Sequence, residues 1–305
     1  MQILVVRAGA LGDLLLLRPA LTSLSRSGHR VRLVAPSGPA SVFVGPGDVD
    51  AVLAWDGPEV AALLAGAPID GPVLRALAES DAVVAYSRSG PVLEALAARV
   101  RRLIHQDPSP PGTGPHAARW LAQAIEPLLD GPPAAARDAD LFEFTADERA
   151  RAEAATQELP HGFVAVHPGS GSVAKNWPFA RFVDAARALA GGRRWLLVAG
   201  PAEHDIAPPA DAVLAREWPL RALAAAIARS SVFLGNDAGV SHLAAAVGAP
   251  TLALFGPTDP ALWAPVGARV KTLRAPDGLL AALDVAAVLA AARELRSAAS
   301  GPPSG

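Results

Sequence analysis

The sequence contains no cysteine, and this absence excludes several kinds of chemistry. Disulfide bonds, thiolate metal sites and a cysteine nucleophile all need at least one thiol, so none of them is available to this chain. Any catalytic group must therefore be sought among the carboxylates, histidines, hydroxyls and amines.

Long apolar runs and a marked net charge are absent as well. No run reaches the roughly 20 apolar residues of a membrane-spanning helix. The first residues, MQILVVRAGALGD, lack the pattern of a secretory signal. The formal net charge of −2 disfavours a nucleic-acid partner. These features predict a cytoplasmic protein, and they leave open a peripheral contact with the inner face of the membrane.

Lysine is rare, since Lys175 and Lys271 are the only two and every other basic side chain among the 27 is arginine. A GC-rich genome is the simplest explanation of the bias. A lysine that persists where arginine is the default nevertheless makes Lys175 a position to examine.

Length and patterning predict the architecture. At 305 residues the chain suits two domains of roughly 150 residues each. Short apolar runs alternate with helical stretches, which is typical of parallel sheets covered by helices on both faces. We predict an N-terminal domain over 1–135, a C-terminal domain over 136–298 and a disordered tail over 299–305, with the domain linker within 130–139. Among the helices, we predict one over 116–129 and a last one over 279–296.

The first residues predict a strand, a glycine-bearing turn and a helix, which is a Rossmann-like start. The turn carries only Gly9 and Gly12, so the G-x-G-x-x-G fingerprint is missing and a nicotinamide cofactor is disfavoured. Asp13 falls in the first turn of the helix, where the helix dipole favours a carboxylate. From the residues alone, a capping role and a catalytic role for Asp13 are equally open.

The second half opens with a helix that begins at Thr145, where Glu148 three residues on completes a capping-box pattern. A strand over 163–167 then runs into the loop PGSGSVAKNWP. Its small and hydroxyl residues would let the backbone approach a diphosphate, and Lys175 would supply positive charge. A purely structural loop explains the same pattern. Glu203, after the strand 195–199, is by itself an ordinary surface acid.

Residues 231–260, SVFLGNDAGVSHLAAAVGAPTLALFGPTDP, predict a strand, a glycine-rich turn, a short helix and a second strand over 251–255. The turn holds Asp237 and Gly239 at the amino end of the helix, where unpaired N–H groups and the helix dipole suit a phosphate. Two simpler interpretations remain open. Asp237 could be only an N-cap, and His242 only a packed helix residue.

Three stretches together resemble one known family. GNDAGVSHLAAAVGAPTLALFGPTDPALWAP is similar to the donor-binding signature of glycosyltransferase family 9, which includes the lipopolysaccharide heptosyltransferases. HPGSGSVAKNWP and RAGALGDLLLLRPAL resemble two further motifs of that family. The resemblance spans nearly the whole chain. It implies an α/β protein of GT-B architecture, with two Rossmann-like domains whose parallel sheets face a central cleft.

The resemblance also implies an activity. The protein would be an inverting transferase that needs no cofactor and no metal, moving a sugar from a nucleotide-diphosphate donor onto a glycolipid or oligosaccharide. Heptose from ADP-heptose and a lipopolysaccharide-core acceptor are the first expectation. Asp13 would be the general base. The donor-binding residues implied are Ser170, Gly171, Ser172, Lys175, Glu203, Asp237, Ala238, Gly239 and His242.

Some positions depart from the heptosyltransferase pattern. Ala238 stands where threonine or serine is common, and Ala8, Gly9 and Ala10 stand where close heptosyltransferases tend to carry serines. Two alternatives therefore stay open: a family 9 transferase of another nucleotide sugar, and a non-catalytic nucleotide-sugar-binding protein. The presence of Asp13 argues against the second, because a protein that only binds needs no base.

Two further patterns bear on the acceptor and on metals. Arg88, Arg99 and Arg102 follow the fourth predicted strand; they are either a solvated face or a contact for an anionic acceptor at the membrane surface. Asp138 and Asp140 spell the D-x-D metal-binding string of another glycosyltransferase architecture. Because this string falls in the predicted linker, away from any strand end, we interpret it as a coincidence and predict no metal.

Overall fold

The structure is a computed structural model that describes residues 1–67, 70–133 and 142–299. The chain divides into two compact units, Met1–Glu143 and a second one from Phe144 onward. The predicted boundary between 135 and 136, the D-x-D string and residues 300–305 of the predicted tail all lie outside the described residues.

The first unit is built on a five-stranded sheet in the order β3-β2-β1-β4-β5, in which all neighbours pair in parallel. The strands are Gln2–Arg7 (β1), Arg30–Ala35 (β2), Ala51–Ala54 (β3), Ala82–Tyr86 (β4) and Leu103–Gln106 (β5). The helices are Leu11–Arg26 (α1), Ser37–Ala40 (α2), Pro58–Leu64 (α3), Pro72–Glu79 (α4), Gly90–Ala97 (α5) and Ala117–Gln123 (α6).

The second unit contains a six-stranded parallel sheet in the order β11-β10-β9-β6-β7-β8. The strands are Val164–His167 (β6), Trp195–Ala199 (β7), Ala212–Arg216 (β8), Val232–Asn236 (β9), Thr251–Phe255 (β10) and Val270–Arg274 (β11). The helices are Ala146–Ala155 (α7), Phe179–Ala190 (α8), Leu220–Ile227 (α9), Gly239–Ala246 (α10), Pro260–Trp263 (α11) and Val285–Ala299 (α12).

The central strands explain why the chain folds this way. In β1, Ile3, Leu4 and Val5 are fully buried, and in β9 the same holds for Val232 and Phe233. A strand of a parallel sheet covered on both faces must be apolar on both faces, so it reads as a continuous apolar run. The predicted alternation of strands and helices is confirmed, and β7 and β10 have the predicted bounds.

Two predicted helices were wrong in extent. Helix α6 ends at Gln123 and a 3-10 turn, Glu126–Leu128, follows it; Pro127 in that turn has no N–H to continue a helix. Helix α12 begins only at Val285. Before it, the carbonyl of Leu283 accepts bonds from Trp177 Nε1 at 3.0 Å and from Arg181 Nη1 at 2.9 Å. These tertiary contacts hold residues 279–284 out of the helix.

The predicted capping box at the start of the second unit is confirmed. Thr145 N donates to Glu148 Oε2 at 2.9 Å, and Glu148 N donates to Thr145 Oγ1 at 3.2 Å. Glu148 also pairs with Arg221, which joins α7 to α9. The hydrogen bond from Arg221 is the main reason that the pKa of Glu148 falls to about 2.

The parallel arrangement gathers the loops that follow the strands at one edge of each sheet, which we call the carboxyl edge. Ligands of open α/β sheets bind at this edge. In the second unit it includes residues 168–176, 200–206, 237–239 and 256–259. Among the helices of the described stretches, none has the length and hydropathy of a membrane-spanning segment.

Candidate functional site

The carboxyl edge of the second unit carries an ion pair between two predicted site residues. Lys175 lies in the 3-10 turn Val173–Lys175 after β6, and Asp237 lies between β9 and α10. Lys175 Nζ is 2.7 Å from Asp237 Oδ2, and the Asp237 side chain is only 9% exposed. Thr258 Oγ1, from the loop after β10, donates to the same oxygen at 2.6 Å. Three neighbouring strands therefore deliver one cation, one carboxylate and one hydroxyl to a single point.

The structure decides between the two interpretations of Asp237. The N-cap of α10 is Ala238, and no side chain caps this helix. The carboxylate of Asp237 is bonded instead to Lys175 and Thr258. Asp237 is therefore not a simple N-cap. Because no side chain occupies it, the amino end of α10 can offer its N–H groups to an anion.

A buried amide connects the two loops that hold this pair. Asn236 is fully buried at the end of β9. Its Oδ1 accepts from Trp177 N at 3.1 Å, and its Nδ2 donates to the carbonyl of Pro168 at 2.7 Å. Ser241 Oγ donates to the carbonyl of Asn236 at 2.5 Å. The sequence analysis missed Asn236 and Thr258; their signal is the polar residues within GNDAGVS and GPTDP, but their partners are distant in the sequence.

The loop after β6 is organised by its own side chains. Ser170 Oγ lies 2.7 Å from the carbonyl of Ser172 and 2.7 Å from Asn176 Oδ1. Gly171 and Ser172 are exposed at the tip of the loop. Ser172 N also donates to Ser170 Oγ at 3.2 Å, so Ser170 shapes the loop through both backbone groups of Ser172.

Glu203 is not the surface acid that its loop position suggests. It is 8% exposed, and its Oε2 accepts from Gly200 N at 2.8 Å. It packs so closely on Gly169 that a Cβ there would lie 1.8 Å from Oε1, which explains the glycine. His167 lies nearby at the end of β6, and burial lowers its pKa, although the carbonyl of Val198 and the charge of Glu203 oppose the shift. His167 is therefore neutral at physiological pH.

The predicted donor-binding residues thus come from adjacent strands. The loops after β9, β6 and β7 follow one another along the carboxyl edge and carry Asp237, Lys175 and Glu203. His242 is 5% exposed within α10, as a packed helix residue would be. Donor binding by the predicted set stays a prediction.

A cavity of about 810 Å³ opens beside the Lys175 turn. Its walls are formed by residues 173–174, Asn176, Pro257, residues 274–275 and residues 277–281, all of the second unit. The volume falls within the range of about 300 to 1,000 Å³ that is common for small-molecule sites.

Asp13 is held at the carboxyl edge of the first unit. Its Oδ1 accepts from Arg7 Nη2 at 2.9 Å, and its Oδ2 accepts from Ala10 N at 2.9 Å. The Asp13 side chain is 37% exposed and that of Arg7 only 4%. The carboxylate thus caps the start of α1 and also faces solvent, so the capping role is observed and the role as a base stays a prediction. Burial lowers the pKa of Arg7, and Asp13 opposes that shift.

The three arginines predicted at the acceptor do not form one group. Arg88 follows β4 at the carboxyl edge, where its Nε lies 2.9 Å from Asp107 Oδ1. Arg99 and Arg102 lie between α5 and β5, at the opposite edge, and donate to the carbonyls of Ala95 and Pro127. Helix α5 runs back from the carboxyl edge to the opposite edge of the sheet, so Arg88 at its start is separated from Arg99 and Arg102 after its end. An acceptor contact by any of the three stays a prediction.

No cluster of three or more potential metal-binding side chains occurs in the stretches that the structure describes. The predicted absence of a metal stays a prediction.

The sequence model described as glycosyltransferase family 9 (heptosyltransferase) matches residues 110–285, more than half of the chain and the whole Lys175–Asp237 region. The chain belongs to glycosyltransferase family 9. Asp13 lies outside the matched range.

Curated family 9 relatives match part of the chain. Lipopolysaccharide heptosyltransferase 3 of Escherichia coli is 33% identical over 126 residues, which cover 36% of this chain and 37% of the relative. The alignment therefore spans little more than a third of that protein.

Solved family 9 structures share the fold along the whole chain. The family 9 glycosyltransferase from Veillonella parvula has a TM-score of 0.79 at 18% identity, covering 97% of both chains. E. coli ADP-heptose lipopolysaccharide heptosyltransferase II has a TM-score of 0.78 at 17% identity, covering 99% of this chain and 100% of its own. E. coli heptosyltransferase WaaC with ADP has a TM-score of 0.73 at 21% identity, covering 97% and 100%. The predicted GT-B fold class, with two Rossmann-like parallel-sheet units, is confirmed.

Proposed function

We propose that this family 9 protein transfers a sugar from a nucleotide-diphosphate donor to a hydroxyl of a glycan acceptor. The observation that carries the proposal is the Lys175–Asp237 pair, at 2.7 Å, beside the uncapped amino end of α10. A cation and a helix N-terminus at one strand edge are what a diphosphate needs.

The donor diphosphate would lie over the loop 169–175 and the first turn of α10. Lys175 would then share its ammonium between Asp237 and the phosphates. Glu203, one strand further along the sheet, would accept from ribose hydroxyls, as the family resemblance implies. The small residues Gly171 and Gly239 would let backbone N–H groups come close to the phosphate oxygens.

The reaction would be an inverting displacement without a covalent intermediate. The acceptor oxygen attacks the anomeric carbon, Asp13 takes the proton of the hydroxyl, and the bond from the anomeric carbon to the diphosphate oxygen breaks. The electron pair leaves with the nucleoside diphosphate, where Lys175 and the α10 N–H groups would stabilise the developing charge. General-base assistance of this kind is worth roughly 10² to 10⁴ in rate.

We propose ADP-heptose as the donor and a lipopolysaccharide-core or related surface glycan as the acceptor. Support comes from the relatives, one a lipopolysaccharide heptosyltransferase and another, WaaC, solved with ADP and with ADP-2-deoxy-2-fluoro heptose. Ala238 removes one hydroxyl from the phosphate turn, which is why the sugar must be tested. The cytoplasm, with a peripheral membrane contact left open, stays the predicted location.

A calorimetric titration with ADP, UDP, GDP and their sugar conjugates tests the donor. We expect selective binding of ADP and ADP-heptose, followed by transfer to a core oligosaccharide. Selective binding of another nucleotide would keep the reaction class and discard heptose. Binding without transfer to any acceptor would favour a nucleotide-sugar-binding protein, and binding of none of these ligands would contradict the proposal.

We expect chelation to leave the transfer rate unchanged, because Lys175 and the N–H groups of α10 would supply the positive potential that a metal provides elsewhere. The measurement is the initial rate of transfer before and after incubation with EDTA and removal of the chelate. A rate that is lost with EDTA and restored by Mg²⁺ would show that the metal-free mechanism is wrong.

A further inference from the structure

The last residue of β1 is a buried arginine whose position the proposed reaction does not yet explain. Arg7 is 3% exposed, and its Nη2 donates to Asp13 Oδ1 at 2.9 Å. Its Nε is buried without a hydrogen-bond partner among the described residues. A buried guanidinium is costly unless a carboxylate compensates its charge. If this position contributed only to stability, an apolar side chain at the end of the strand would do as well as the arginine.

The contacts of Asp13 show what the guanidinium does there. One carboxylate oxygen is held by Arg7 and the other by the N–H of Ala10, each at 2.9 Å. Gly9 leaves room for this side chain, since a Cβ at that position would lie 2.7 Å from the Cβ of Asp13. The direction of the carboxylate is thus fixed by its two hydrogen bonds.

The same contacts leave part of the carboxylate accessible. An ionised carboxylate offers about four lone-pair directions, and the two described bonds occupy two of them. The Asp13 side chain remains 37% exposed. The free directions therefore point away from Arg7 and Ala10, toward the solvent where an acceptor hydroxyl would arrive.

We propose that Arg7 is a positioning residue for the transfer reaction: it holds the Asp13 carboxylate by a charge-assisted hydrogen bond in the orientation from which it takes the acceptor proton. The inference rests on the proposed function, because it assumes that Asp13 is the base. Arg7 itself touches neither donor nor acceptor.

Arg7→Met tests the positioning role because it introduces an unbranched, uncharged side chain. Arg7→Lys keeps the positive charge but lacks the planar guanidinium group. We expect Arg7→Met to lower kcat by about 10- to 100-fold, because a displacement of about 1 Å at a reacting group can cost about 100-fold. The donor KM and the ADP affinity should stay unchanged, since the donor loops lie in the second unit. Arg7→Lys should recover part of kcat.

Arg18→Met is the matched control. Arg18 is 4% exposed in the same unit and pairs with Asp48 at 2.6 Å, so its loss removes an arginine as buried as Arg7, together with its ion pair, without touching Asp13. Both methionine variants should melt at lower temperature, but only Arg7→Met should lose kcat. If Arg7→Met does not fold, the comparison of Arg7→Lys with the native enzyme carries the test.

A double variant separates the inference from the function on which it rests. In an Asp13→Asn background, Arg7→Met should lower kcat no further, because residues that act as one unit are not additive. An additive loss, or native kcat in Arg7→Met and Arg7→Lys, would overturn the inference while leaving the proposed function intact. Native kcat in Asp13→Asn would overturn the inference and the role of Asp13 as base while leaving the transfer itself intact, and no transfer by the native protein would overturn both the inference and the proposed function.

Discussion

Replacing Asp13 with asparagine is expected to lower kcat by about 10²- to 10⁴-fold and to leave the affinity for ADP unchanged. Asparagine has nearly the same size, so α1 and its contacts with the sheet should persist. The amide has no basic oxygen to take a proton, and its NH₂ group must face either Arg7 or Ala10, both of which are donors to Asp13. The measurements are kcat with ADP-heptose and a core oligosaccharide, and ADP binding by calorimetry.

Asp81→Asn is the control for a general effect of losing an aspartate from the first unit. Asp81 accepts a bond from the backbone, Gln2 N at 2.7 Å, much as Asp13 does from Ala10 N, but it precedes β4 at the opposite edge of the same sheet. Its kcat should equal that of the native protein. If Asp13→Asn also turns over at the native rate, Asp13 is only a helix cap and the base lies elsewhere.

Lys175→Ala should weaken ADP binding by about 10- to 150-fold, which corresponds to the roughly 1.5 to 3 kcal/mol of a charge-assisted hydrogen bond. Two effects act in the same direction. The ammonium no longer contacts the diphosphate, and the Asp237 carboxylate, 9% exposed, is left without its cation next to the phosphate oxygens. Adding Asp237→Asn to Lys175→Ala should therefore recover part of the affinity, because it removes the second effect.

Lys271→Ala is a matched control, since Lys271 is the other lysine of the chain and also pairs with a carboxylate, that of Glu294. It lies on β11, the outermost strand, and its pair joins that strand to α12. Its loss should leave the Kd for ADP at the native value. Equal affinities of Lys175→Ala and the native protein would move the phosphate site away from the loop after β6.

Much of the fold could be predicted because it follows from local patterns. Apolar runs stopped by glycine or proline predicted β7 and β10 at their observed bounds, and the Thr145–Glu148 spacing predicted the start of α7. These features depend on residues a few positions apart. The start of α12 was wrong because it depends on distant residues: the segment 279–284 is held by Trp177 and Arg181, which lie about a hundred residues earlier.

The candidate site divides in the same way. The spacing of glycines, hydroxyls and charges indicated Lys175 and Asp237 as candidates one at a time. Nothing local indicated that Thr258 shares an oxygen of Asp237 with Lys175, or that Glu203 is buried against Gly169. The arginines show the converse, since Arg88 and Arg102 are close in sequence but lie at opposite edges of the sheet.

The sequence by itself determined the class of fold, the family resemblance and the residue types suited to a diphosphate, because periodicity, turn residues and motif order are properties of neighbouring positions. Only the tertiary structure decided that a lysine and an aspartate 62 positions apart form one ion pair, and that Arg7 at the end of β1 grips the carboxylate of Asp13. The physical reason is that parallel strands bring loops from distant parts of the chain to one edge. Which charges compensate each other there depends on strand order and burial, and a sequence states neither.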